Sequence, residues 1–131
     1  MASLQAEQSK VAGNAAFKAL DYPLAIAHYS TAIARDPSVS TYPLNRSLVH
    51  LRLGNFLDAF RDANTALDLD GGANVKALFR RGLANKGLGK LDDAKRDFEQ
   101  AIEQGAGADV ETELAQLLKL LESNARFLSL V

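Results

Sequence analysis

In the stretch NVKALFRRG, Asn74 to Gly82, Lys76 and Arg80 stand four residues apart, one helical turn, with Phe79 on nearly the same face. Two cations so placed repel each other unless water screens them or something negative sits between. An ammonium beside a guanidinium fork can grip a group with several oxygens, a carboxylate above all; the plainer alternative is a solvated helix face. Other candidates for chemistry carry less. His28 and His50 are the only imidazoles, on different helices with no carboxylate or serine at catalytic spacing, so surface or packing roles are expected for both. DLDGGAN, Asp68 to Asn74, begins like a calcium loop but lacks the later oxygen ligands and the closing glutamate. GLANKGLGK, Gly82 to Lys90, has the glycines and lysines of a phosphate loop, yet no strand precedes it and no Ser or Thr follows the lysine. LDDAKRDFE, Leu91 to Glu99, reads as solvated pairing one turn apart. The chain is expected to be no enzyme and to hold no cofactor and no metal.

The elements that position Lys76 and Arg80 emerge from self-comparison. The chain has 131 residues, one domain's worth, with a formal charge of -1, so its totals do not mark a nucleic-acid binder. It has no cysteine, which fits a reducing compartment, its apolar runs are too short to span a bilayer, and MASLQAEQSK lacks a basic-then-apolar leader. A cytoplasmic monomer with no membrane attachment is expected. Ala25, Ala59 and Ala94 stand 34 and then 35 residues apart. The same steps carry Gly13 to Ser47 to Gly82, Tyr22 to Phe56 to Leu91, Tyr29 to Ala63 to Phe98, and Ala32 to Ala66 to Ala101. Such a period marks a repeat array, and the additional residue falls at Gly71 and Gly72, where an insertion is easily absorbed.

Each unit contains two stretches of helical periodicity around a turn: LDYP, LGNF and LGKL. Gly54 and Gly89 are expected to supply the left-handed residue that ends a helix, with Asp21 in that place in the first turn. Small residues such as Gly13, Ala25 and Ala32 let helices approach closely. Pro43 is tolerable if the third helix starts near Ser40 or Thr41, because in the first turn it removes only an unpaired donor. After the third hairpin GAGA breaks the chain, and Val110, Leu114, Leu117, Leu118 and Leu121 then fall on one side of a seventh helix that would cap the array. The final FLSLV extends that cap, frays, or marks where a longer protein was cut. The expectation is an all-α single domain over residues 1–131, with hairpins at about 3–37, 38–72 and 73–106 and a capping helix at about 108–128.

The period, with Gly13, Tyr22, Ala25, Tyr29, Ala32 and Pro37 in place, resembles the tetratricopeptide repeat from Ser3 to Gly105. Ser9, Pro43 and Leu78 stand where that family often has tryptophan. The resemblance implies a right-handed superhelix of antiparallel helix pairs, with the first helix of each pair lining a concave groove. Its groove positions would be Lys10, Asn14, Phe17 and Lys18; Asn45, Leu48, Leu51 and Arg52; and Lys76, Phe79, Arg80 and Lys86, with Glu7 the opposing anion.

KVAGN, NRS and KALFR in successive repeats further resemble the carboxylate clamp of Hsp90 and Hsp70 co-chaperones. By that resemblance Lys10, Asn14, Asn45, Lys76 and Arg80 would hold the C-terminal EEVD of the chaperone in extended form. Phe17, Lys18, Leu48, Arg52 and Phe79 would make secondary peptide contacts. The run RRGLANKGLGKLDDAKRDFE resembles the clamp repeats of RNA polymerase II-associated protein 3 and its relatives. The alternative is a repeat scaffold that binds another partner, by its convex face or through internal peptide segments. A standalone adaptor and a repeat domain of a larger one would share this sequence signature.

Overall fold

A computed structural model describes residues 3–130, and everything described is helix or turn. The helices are α1 (Leu4–Lys18), α2 (Tyr22–Arg35), α3 (Thr41–Leu53), α4 (Phe56–Leu69), α5 (Val75–Gly87), α6 (Leu91–Glu103) and α7 (Ala108–Leu130). Consecutive helices pack as the hairpins α1/α2, α3/α4 and α5/α6; α2 meets α3, α4 meets α5, and α7 lies on α6.

Local chemistry sets the ends. Ser3, Asp21 and Asn74 each accept a backbone N–H from three residues ahead, satisfying donors that the first turn leaves open. At the three hairpin turns the N–H of Asp21, Asn55 and Lys90 reaches back five residues to the carbonyl of Ala16, His50 and Asn85. That closure needs a left-handed residue just before it. Gly54 and Gly89 supply it with φ of 75° and 77°. In the first turn the left-handed residue is Leu20, with φ 62°, and Asp21 instead caps α2. Asp21 therefore does not take the glycines' place; the register puts Leu20 opposite Gly54 and Gly89. Pro43 is the third residue of α3, buried, where its missing N–H costs no helical bond.

Small and large residues alternate across each hairpin. A Cβ on Gly13 would lie 2.5 Å from the Tyr29 ring, and one on Gly82 2.4 Å from the Phe98 ring. In the second repeat Ser47 takes the glycine's position and Ala63 the aromatic's, so the bulk moves while the fit is kept. The core runs along the array: Ala6, Ala32 and Tyr42 at one end, Tyr29 and Val49 next, then Leu44, Leu67, Leu78, Phe98, Val110 and Leu117. Val110 and Leu117 seat α7 on that last group, with Leu114 and Leu121 partly buried beside them. Leu118 is not part of the buried side, being 43% exposed. Phe127, Leu128 and Leu130 are helical and exposed, and the Val131 of FLSLV, like Met1 and Ala2 at the other end, lies outside the described residues.

Candidate functional site

Spacing on α1, α3 and α5 decides which side chains share a face. On α1, Lys10, Asn14, Phe17 and Lys18 follow at helical intervals; on α3, Asn45, Leu48 and Arg52; on α5, Lys76, Phe79, Arg80 and Lys86.

Hydrogen bonds tie the two asparagines together. The Tyr29 hydroxyl donates to Asn14 Oδ1 at 2.5 Å, and Asn45 Nδ2 points at the same oxygen from 3.4 Å. With Oδ1 so occupied, Asn14 offers its two amide N–H groups, and a group that needs donors is what it can bind. Lys10 is engaged as well: its ammonium sits 2.7 Å from Glu7 Oε2, while Glu7 Oε1 accepts the Tyr42 hydroxyl at 2.8 Å. Glu7 is thus part of the wall and not a loose counter-charge. The Lys10 hydrogen bond, then that of Tyr42, holds the Glu7 carboxyl below its ordinary range. Burial, then Glu7, pushes the Tyr42 phenol up to about 12. An ammonium has three donors, so Lys10 keeps two for another acceptor.

Arg80 is placed differently from Lys76. Its Nη1 donates at 2.7 Å to the carbonyl of Leu44 in the first turn of α3, and burial pulls its pKa down from the usual arginine value. Its charge also acts on the Tyr29 phenol, opposing the burial that pushes that pKa up. The set Asn45, Asn14 and Tyr29 therefore joins the first two repeats, and the Arg80 bond to Leu44 joins the second to the third. Lys76 has no carboxylate within ion-pair distance among the described residues.

Beside these groups the groove turns apolar. A cavity of about 240 Å³ is lined by Leu48, Lys76, Phe79, Arg80, Leu83 and Asp109. It continues through Leu48, Phe79 and Leu83 into one of about 550 Å³, which adds Leu51, Arg52, Phe56, Lys86 and Gly87. Phe79 both lines the groove and packs on Phe98, ring centroids 5.9 Å apart. Phe17 packs on Tyr22 with ring centroids 5.6 Å apart, and the Arg52 guanidinium lies over the Phe17 ring, 5.9 Å from its centroid. Lys86 faces the groove but is bound to Glu113 of α7, Nζ to Oε2 3.0 Å. Lys18 is exposed at the end of α1.

Several residues were not singled out from sequence. Leu83 lies one turn beyond Phe79 and Arg80, a spacing that could have revealed it. Arg46 grips both oxygens of Asp62 at 2.7 Å and donates to Ser30; Arg81 grips Asp97 and donates to Asn64. Both pairs span 16 residues and recur 35 apart, a signal that was in the sequence. His50 does find a carboxylate, Asp62 Oδ2 at 3.8 Å from Nε2, but that carboxylate is already committed to Arg46. The pair is packing, as is Asn85 with Asp97 at the matching position one repeat on. Among the described residues no group of acids and histidines is arranged to hold a metal ion, and no helix is long and apolar enough to cross a membrane.

The sequence matches the tetratricopeptide repeat over residues 11–74 and again over 75–104. The fold is similar to the first TPR of Spaghetti (RPAP3) bound to HSP90 peptide SRMEEVD, with a TM-score of 0.88 and 34% identity over 92% of this chain and 95% of that one. It is also similar to the second TPR domain of the human RPAP3 protein in complex with HSP70 peptide SGPTIEEVD, with a TM-score of 0.79 and 33% identity over 86% of this chain and 97% of that one. Human serine/threonine-protein phosphatase 5 is 42% identical over 81 residues, 62% of this chain but 16% of that protein's length.

Proposed function

The chain belongs to the tetratricopeptide-repeat family, and from that premise we propose that it is an adaptor whose concave groove captures the acidic C-terminal tail, ending EEVD, of Hsp90, Hsp70 or both. It does no chemistry of its own and works in the cytoplasm. The observation that carries this reading is the saturation of Asn14 Oδ1 by Tyr29 and Asn45. It leaves N–H donors and cations, with few competing acceptors, along the wall that a carboxylate would meet. The similarity to TPR domains in complex with HSP90 and HSP70 peptides supports it.

In this reading Lys10, Asn14 and Asn45 hold the terminal main-chain carboxylate. Lys76 takes the side-chain carboxylate of the last aspartate, and the donors of Arg80 not used by Leu44 take peptide oxygens upstream. Leu48, Phe79 and Leu83 meet the apolar side chains, and Phe17, Lys18 and Arg52 form the far edge. A charge-assisted hydrogen bond contributes about 1.5–3 kcal/mol when shielded, and ordering a flexible tail costs several. Affinity on the order of micromolar follows, weakening with added salt.

Calorimetric titration with a peptide ending EEVD and with its C-terminally amidated form tests the proposal. The free acid should bind at least about tenfold more tightly, the loss of one charge-assisted contact or more. Equal binding of the two would sink the clamp, and tails ending MEEVD and IEEVD would then rank the two chaperones.

A further inference from the structure

The α5 wall of the groove is met by two carboxylates from α7 that the tail-binding reading does not use. Glu113 Oε2 lies 3.0 Å from Lys86 Nζ, with the side chains 27% and 36% exposed. Asp109, one turn earlier on the same face of α7, lines the cavity that Lys76 and Arg80 also line. The buried Val110 and Leu117 fix the rotation of α7, which keeps the backbone of both acidic residues against this wall.

We propose that Asp109 and Glu113 are specificity-determining residues: tethered anions that take the place of ligand carboxylates along α5 and hold down affinity for acidic side chains there. The inference rests on the reading that the groove takes an acidic tail. Lys86 is already paired with Glu113, and Asp109 lines the cavity that Lys76 and Arg80 line without an ion pair to either among the described residues. On the facing wall, Lys18 and Arg52 have no carboxylate within ion-pair distance among the described residues. Acidic side chains upstream of the last aspartate are therefore met by the free cations Lys18 and Arg52 rather than by Lys86, and apolar ones by the Leu48, Phe79 and Leu83 side. The contacts are partly solvated, so each carboxylate shifts affinity by a modest factor.

Asp109→Asn and Glu113→Gln keep size while removing charge. Each should raise affinity for a peptide ending EEVD about two- to fivefold, and the double variant about tenfold, with a steeper loss of binding on adding salt. The gain should shrink when both glutamates of the probe are replaced by glutamine. Circular dichroism reports whether α7 stays folded, since acids in its first turn also favour the helix. Unchanged or weaker affinity in both folded variants, with wild-type binding intact, would overturn the proposal. Failure of the wild-type chain to bind the free-acid peptide would instead bring down the groove reading, and this proposal with it.

Discussion

The Tyr29 hydroxyl and Asn14 Oδ1 are 2.5 Å apart, although they sit on different helices of the first hairpin. The same ring fills the space that Gly13 leaves open, so one side chain both packs the hairpin and orients a groove amide. Tyr29→Phe separates these roles, because the ring stays and the hydroxyl goes. The variant should lose about 1 kcal/mol of stability in urea. Its affinity for an EEVD-ending peptide should fall about three- to tenfold, since Asn14 is then free to turn its oxygen toward the ligand. Undiminished affinity would mean that Asn45 alone orients Asn14.

Lys76 and Arg80, one turn apart, should respond differently to truncation. Lys76 makes no ion pair among the described residues, whereas Arg80 is bonded to the Leu44 carbonyl. Lys76→Ala should weaken peptide binding by about 1–3 kcal/mol and leave the melting temperature in place. Arg80→Ala should weaken binding by a similar amount and also destabilise the fold by about 1–2 kcal/mol, read as a lower urea midpoint. Equal melting of the two variants would argue against Arg80 as a tie between α3 and α5.

Leu20 adopts a left-handed backbone at φ 62° while 72% exposed, so it bears the steric cost of that conformation with little burial in return. Leu20→Gly should stabilise the chain by roughly 0.5–1 kcal/mol, the left-handed penalty less the added freedom of the unfolded glycine. A lower midpoint on chemical unfolding would show that the leucine side chain packs more than its exposure implies.

The Glu7 to Tyr42 bond should shape both ends of the pH profile. Glu7 has a folded-state pKa below its ordinary 4.5, so its contribution is fully present above that value and is lost as pH falls through the lowered one. Tyr42 is raised from 10.0 to about 12; its contribution is present below 10.0 and is lost as pH rises toward 12. Glu7→Gln should flatten the acid limb of stability against pH, and Tyr42→Phe the alkaline limb. Thermal melts across both ranges check each, and an unaltered profile in either variant would count against the bond.

The repeat was legible because it is periodic, and the residues proposed for the clamp follow from its register. Ala25, Ala59 and Ala94 fix the register, and Lys10, Asn14, Asn45, Lys76 and Arg80 are unusual side chains at register positions. What the register did not carry was harder to read. The acceptor of Arg80 is a backbone carbonyl, and nothing in the letter Leu44 marks it, because the contact depends on how one repeat turns on the next. Propensity favours Asp21 over Leu20 in the left-handed region, while the bond to the Ala16 carbonyl and the turn's closure put the strain one residue earlier. Helix α7 has no repeat to align with, so the exposure of Leu118 and the reach of Glu113 to Lys86 depend on a docking angle that periodicity leaves open.

The buried arginine to aspartate pairs are unevenly distributed. Arg46 with Asp62 and Arg81 with Asp97 fasten the second and third hairpins, but the same positions in the first are Ala12 and His28. In a one-dimensional array each unit is held only by its neighbours, so opening begins where the fastening is poorest and the end is free. Helix α1, which carries Lys10 and Asn14, is an end helix without such a pair and is tied instead through Asn14 to Tyr29 and through Glu7 to Tyr42. A ligand reaching from α1 to α5 would act as a splint across three repeats, and its grip would show as slowed amide exchange in α1, α3 and α5.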